Sequence, residues 1–144
     1  MSLDRKRDAE RVVRRWDRAF TALAAEPRRQ LVDALMDARD EESVSLPGAA
    51  ENPRRSIDRE SFRVTLSHTH LPLLESDGYV RWDRSPFRAY RGPRFEEVAV
   101  VLESLYANVS AIPEQLIHGC RTLEQQRNRD GESRGPEDST SMSD

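Results

Sequence analysis

The sequence predicts an α+β fold that is mainly helical, with one small β-hairpin and a long C-terminal helix. Three observations carry this. Apolar residues recur at helical spacing over much of residues 7–77. Residues 79–83 and 87–91 read as two short strands around Arg84-Ser85-Pro86, a hairpin with a slightly longer loop. From Phe95 onward the apolar residues step by three and four through about three heptads.

The first helix is expected over residues 7–24, with Val12, Val13, Trp16, Phe20 and Leu23 at helical spacing. Glu26-Pro27 ends it and opens a second helix over residues 27–38, since proline is welcome at a first helical position. Leu31, Val32 and Leu35 face inward there, and DARDEES closes it. Ser45 can cap a short third helix over residues 46–51, weakened by Pro47 and Gly48. NPRRS is a turn or loop. Asp58 is the expected N-cap of a fourth helix reaching Asp77, with Gly78 as its C′ residue. After the hairpin, Gly92-Pro93 opens the fifth helix, with Glu96 and Glu97 where the helix dipole favours carboxylates. Its seam is Phe95, Val98, Leu102, Leu105, Val109, Ile112 and Leu116, broadened by Val101, Tyr106 and Ile117. Pro113 should kink or divide it, with Ser110 available as a new cap. The chain thus divides into a helical arm (1–25), a central domain (26–92), a C-terminal helix (93–127) and an acidic tail (128–144). The tail has too little apolar surface to fold and is expected to be disordered.

At 144 residues, 36% hydrophobic and 34% charged, the chain allows one compact domain with modest appendages. No apolar run approaches the ~20 residues that cross a bilayer, so no membrane association is expected. The segment MSLDRKRDAERVVRRW lacks an apolar signal core. One cysteine, Cys120, excludes an intramolecular disulfide and suits a reducing, cytoplasmic setting. The net charge of −3 is unevenly spread. Residues 1–45 balance, residues 46–95 carry nine arginines against six acids, and 96–130 and 131–144 are each acidic by three. Lys6 is the only lysine among 23 basic residues, a bias that fits a GC-rich genome and, with abundant acids, a salt-adapted host.

No Gly-rich phosphate loop, nucleophile elbow or paired-carboxylate motif is present, so neither an enzyme nor a cofactor is expected. His68 and His70, two apart on a helix, point apart and cannot form a zinc pair. His118 and Cys120 flank Gly119 on the last helix without a carboxylate at matching spacing, so no metal site is expected there. A buried His70 and an inert, partly buried Cys120 are the default.

The order helix, helix, short helix, long helix, hairpin, helix is that of a winged helix domain. The stretch LSHTHLPLLESDGYV, Leu66 to Val80, resembles the recognition-helix-to-wing junction of ArsR-like regulators. It is more closely similar to haloarchaeal winged-helix proteins of largely unknown function, which share a His-x-His-Leu-Pro-x-Leu…Gly pattern. Here that pattern is His68, His70, Leu71, Pro72, Leu74 and Gly78, and the likeness covers residues 20–92. It implies that the fourth helix is placed to enter a major groove.

Wheel spacing puts Leu66, His70, Leu73 and Leu74 on one side of that helix, with Phe62 and Leu71 at the edges. Ser61, Thr65, His68, Thr69 and Pro72 lie opposite, where short polar side chains can meet base edges. Arg59 and Arg63 near the helix start are candidates for phosphate or guanine, although Arg63 turns toward the apolar side. Arg81, Arg84, Arg88 and Arg91 on or beside the hairpin are candidates for the DNA backbone or minor groove. Two features depart from the pattern: LPGAAE is short for the first helix of the pair, and NPRRSI is long for its turn.

The expected function is a sequence-specific transcriptional regulator that binds double-stranded DNA as a homodimer. Its fifth helices would pair along Phe95 to Leu116, with the first helix packed alongside. The competing expectation is a protein-interaction module on the same scaffold, without direct DNA binding. A weaker third is a ligand- or metal-responsive regulator using His118 and Cys120.

Overall fold

The computed structural model describes residues 2–120 and 122–131. Helix α1 spans Ser2–Ala22 and α2 spans Glu26–Asp37. Strand β1, Val44–Ser45, and a 3-10 turn, Gly48–Ala50, follow. Helix α3, Arg59–Thr65, runs through a π-helical turn, Leu66–His70, into α4, Leu71–Ser76. Strands β2, Val80–Arg84, and β3, Phe87–Arg91, form the hairpin. Helix α5, Phe95–Ala107, a 3-10 turn, Val109–Ala111, and the single-turn α6, Glu114–Ile117, come next. Residues 122–131 are helical again. The protein is therefore mainly helical, with a three-stranded antiparallel sheet in the order β1–β3–β2. No described helix is long and apolar enough to cross a membrane.

One apolar cluster ties these elements together. Leu31, Val32 and Leu35 of α2 meet Leu66, Leu71 and Leu74, the strand residues Val80 and Ala89, and Phe95, Val98 and Leu102 of α5. Helix α1 enters this cluster through Ala19 and Ala22, with Leu23 just beyond its end. Gly78 has φ of +77°, and the Tyr79 N–H donates to the Leu74 carbonyl, so the C′ position expected of this glycine is realised. The end of β3 runs directly against it. A Cβ on Gly92 would collide with the Gly78 carbonyl oxygen and lie 2.7 Å from the Val80 nitrogen.

Arginines, rather than glycines, close the first two helices. Arg28 donates from Nε to the Ala22 carbonyl (2.8 Å) and from Nη2 to that of Thr21 (2.9 Å). Arg29 reaches the Leu23 carbonyl at 2.7 Å. Arg91 does the same for α2, donating to Leu35 (2.9 Å), Met36 (3.2 Å) and Ala38 (2.8 Å) while pairing with Asp40 (2.7 Å). The last carbonyls of a helix have no partners within it, and a cationic donor both satisfies them and complements the dipole.

Five expectations are corrected. Helix α1 begins at Ser2, ahead of residue 7, and stops at Ala22. The short third helix is only a 3-10 turn, and β1, too brief to show alternation, pairs Val44 with Ala89 and Ser45 with Arg88 on the free edge of β3. In the fourth helix the π turn bonds Leu71 N–H to the Leu66 carbonyl, five residues back. This turns Leu71 into the core and leaves His70 half-buried. Regular helix would drive the Pro72 ring into the His68 carbonyl, and the wide turn gives it room.

The fifth helix stops at Ala107, where Asn108 leaves helical geometry (φ −116°, ψ 26°), and Pro113 caps the separate α6. The continuous Phe95 to Leu116 seam is therefore absent: Phe95, Val98, Leu102 and Val109 are buried within the protomer, Ile112 is half-buried, and Leu105 and Leu116 are exposed. Residues 128–131, expected in a disordered tail, continue the terminal helix. The remainder of that expected tail, 132–144, lies outside the described residues.

Candidate nucleic-acid interface

The surface built by α3, the π turn and the hairpin is where the sequence-predicted residues gather. Arg59, Ser61, Arg63, Thr65, His68 and Thr69 are all exposed on one uninterrupted stretch of helix. Its start is tied locally. Asp58 makes no side-chain cap to a backbone N–H; instead its Oδ2 accepts from the Ser61 hydroxyl (2.9 Å), and Thr65 Oγ1 donates to the Ser61 carbonyl (3.0 Å). Those two hydroxyls keep lone pairs free to accept. Val64 is also exposed, among Ser61, Thr65 and His68. The spacing 61, 64, 65, 68 was readable as one face, but an apolar residue there does not stand out among polar neighbours. On DNA it is suited to a thymine methyl.

Two of the arginines at the helix start are already engaged. Arg59 pairs with Glu51 in a forked geometry, Nε to Oε1 at 3.0 Å and Nη2 to Oε2 at 3.2 Å. The Arg63 guanidinium lies 4.8 Å from the centroid of the Phe87 ring, which links helix to hairpin. That contact accounts for its turn toward the apolar side.

The four hairpin arginines separate. Arg81 and Arg84 are exposed, and Arg84 stacks over Trp82 at 4.9 Å. Arg88 is half-buried, and its Nε, like Trp82 Nε1, is shielded from solvent without a hydrogen-bond partner among the described residues. Arg91 is withdrawn from the surface by its capping of α2 and by its position 5.0 Å over the Phe95 ring. The expectation that Arg91 faces DNA is corrected on that ground: its donors are spent on carbonyls inside the protomer.

Two residues that sequence reasoning missed hold this surface in place. Asn52 is buried in the loop before α3; its Nδ2 donates to Glu26 Oε2 (2.7 Å) and its Oδ1 accepts from the Arg54 N–H (3.0 Å). The long NPRRSI turn is thereby pinned to the start of α2. Arg28 joins the end of α1 to the far side of this surface, with Nη1 2.9 Å from His70 Nδ1. The imidazole thus accepts through Nδ1 and carries its proton on Nε2. Burial, and then the Arg28 charge, lower the His70 pKa from its ordinary value. The long-range part of each role leaves no local sequence signal, because Glu26 and His70 lie tens of positions from Asn52 and Arg28.

Between that loop and α3 lies a groove of about 340 Å³ bordered by Arg55, Asp58, Ser61, Thr65 and His70. His118 is exposed and Cys120 half-buried; both sit in the turn after α6 and not on a helix. Among the described residues no three His, Cys, Asp or Glu side chains are grouped for a metal ion. Comparison with family models, with curated proteins and with solved structures finds no match.

Proposed function

We propose that this protein is a cytoplasmic, sequence-specific DNA-binding regulator with an ArsR-like winged helix, acting as a homodimer and not as an enzyme. The observation that carries the reading is the exposed polar face of α3 and the π turn lying beside an arginine-bearing hairpin. The strand order β1–β3–β2, with a short strand between α2 and α3, supports the winged-helix assignment. Ser61 and Thr65 offer acceptors, and His68 and Thr69 donors and acceptors, to base edges, while the exposed Arg81 and Arg84 are the candidates for the duplex backbone.

Selection from random duplex DNA by the purified protein tests this. Enrichment of a short motif that disappears with Thr65→Ala and His68→Ala is the expected result. No enrichment by folded protein sinks the reading. The uncovered apolar face of α1 favours a second reading, a protein-interaction module, in which alanine at Thr65, His68 and Thr69 leaves partner binding unchanged.

A further inference from the structure

Two neighbouring arginines, Arg54 and Arg55, stand in the long turn before α3. Their side chains are 60% and 66% exposed, yet each guanidinium is paired with a carboxylate. Arg54 Nη2 lies 2.7 Å from Glu124 Oε2, and Arg55 Nη1 lies 3.3 Å from Glu26 Oε1. The acids are the seated partners, with only 12% of the Glu124 side chain and 22% of the Glu26 side chain exposed. A guanidinium has five N–H donors, so both arginines keep donors turned to solvent. Arg55 also borders the groove that Ser61 and Thr65 line, so the turn stands next to the helix face proposed above to meet base edges.

The two glutamates differ in what holds them. Glu26 belongs to α2 and is fixed a second time by Asn52. Glu124 sits in the helix of residues 122–131, with Oε1 accepting from the Gly119 N–H at 2.5 Å. That helix is weakly attached. Leu123 is its only large apolar residue, Thr122 is its only buried one, and Ile117, buried just before it, lies outside the common core. So short a helix is not stable alone in water, and an exposed ion pair such as Arg127–Glu114 adds little. The segment is also acidic, since residues 96–130 carry six acids against three arginines.

From this arrangement we infer that the helix of residues 122–131 is a detachable mask on the DNA-binding surface: Glu124 occupies on Arg54 the place that a duplex phosphate takes. Arg54 and Arg55 are then phosphate contacts, Arg55 within reach in the free protein and Arg54 opened only when the helix lifts. Carboxylate and phosphate both offer a pair of oxygens to a guanidinium. The exchange therefore conserves the ion pair and costs only the shallow docking of the helix. Glu124, once released, takes up a cation, which offsets one of those that the DNA gives up. The inference rests on the DNA-binding reading above and deepens it by naming how that surface is regulated.

Binding of a fluorescent random-sequence duplex to full-chain variants, followed by anisotropy over a salt series, tests it. Glu124→Gln should tighten binding by about two- to five-fold, the size of one exposed ion pair. It should also steepen the salt slope by about 0.9, the value of one phosphate contact. Arg54→Gln should weaken binding, and in its background Glu124→Gln should have no further effect. Glu114→Gln, which removes the same charge from the partner of Arg127, should leave affinity unchanged; equal gains from both glutamate variants would reduce the effect to net charge and overturn the proposal. Cys120, half-buried at the base of the helix and the only cysteine in the chain, reports the lifting directly. Saturating duplex, or Glu124→Gln alone, should speed its alkylation by iodoacetamide several-fold. A wild type that binds duplex while Glu124→Gln leaves affinity unchanged, or while Cys120 reacts as slowly in the complex as in the free protein, overturns the mask and leaves DNA recognition standing. Duplex binding seen only in the Glu124→Gln variant is the mask at its strongest. Absence of binding by the wild type and Glu124→Gln alike overturns both.

Discussion

Helix α1 repeats its apolar residues as regularly as α5 does, with Val12, Val13, Trp16 and Phe20 in one and Phe95, Val98 and Leu102 in the other. In α5 the stripe is closed over within the common core, where α2 and the alanine edge of α1 pack on it. In α1 the apolar contacts with the body fall to Ala19 and Ala22, and the large side chains point outward. Small residues let two helices approach closely, so the protomer uses the alanine edge of α1 and leaves its aromatic edge unspent. Periodicity reports that a helix has an apolar face; which element covers the face depends on how the other helices pack.

The largest effect that sharpens this contrast is expected at Leu102. It is 3% exposed, so Leu102→Ala should cost about 2–5 kcal/mol of unfolding free energy by urea titration. Leu105, 46% exposed one turn later, should change stability by less than about 0.5 kcal/mol when made Ala. Equal effects at the two positions would mean that α5 meets another surface along its whole length.

Next in size is the contrast between two hairpin arginines. Arg91→Ala removes donors from three carbonyls at the end of α2 and should destabilise by about 2–3 kcal/mol. Arg81→Ala should leave the thermal midpoint almost unchanged and weaken DNA binding instead. If Arg91→Ala melts like the wild type, its capping role is wrong and it returns to the DNA-facing set.

The smallest effect expected is with pH. The folded state holds His70 below its ordinary pKa through burial and the Arg28 charge. As pH falls through about 6.5, the unfolded chain takes up a proton that the folded state resists. Stability from this residue is therefore complete above that pH and is lost progressively below it. The urea midpoint should drop more between pH 7 and 5.5 in the wild type than in His70→Gln. Parallel pH curves would show that the Arg28–His70 contact carries no such linkage.

Most of the element order was legible in the residues. Gly78 marked the end of the fourth helix, the run from Tyr79 to Arg91 marked the hairpin, and Pro113 marked the division of the C-terminal helix, although the break came five residues earlier, at Asn108. The polar residues of the fourth helix were legible as an exposed face, because Ser61, Thr65, His68 and Thr69 cannot be buried without partners. The roles of Arg28, Asn52 and Arg91 were not, since each depends on a partner that only packing brings near: the His70 ring, the Glu26 carboxylate and the carbonyls at the end of α2.

By itself, then, the sequence determined the local grammar: where helices start and stop, which positions are apolar, and where positive charge concentrates. Those depend on propensity, capping and spacing within a few residues. Only the tertiary structure decided that Leu71 replaces His70 in the core, that Arg91 caps α2, and that the α5 stripe is consumed within the protomer while the α1 stripe stays open. Each of these turns on competition between surfaces distant in sequence for the same burial, and a linear pattern holds no record of which surface wins.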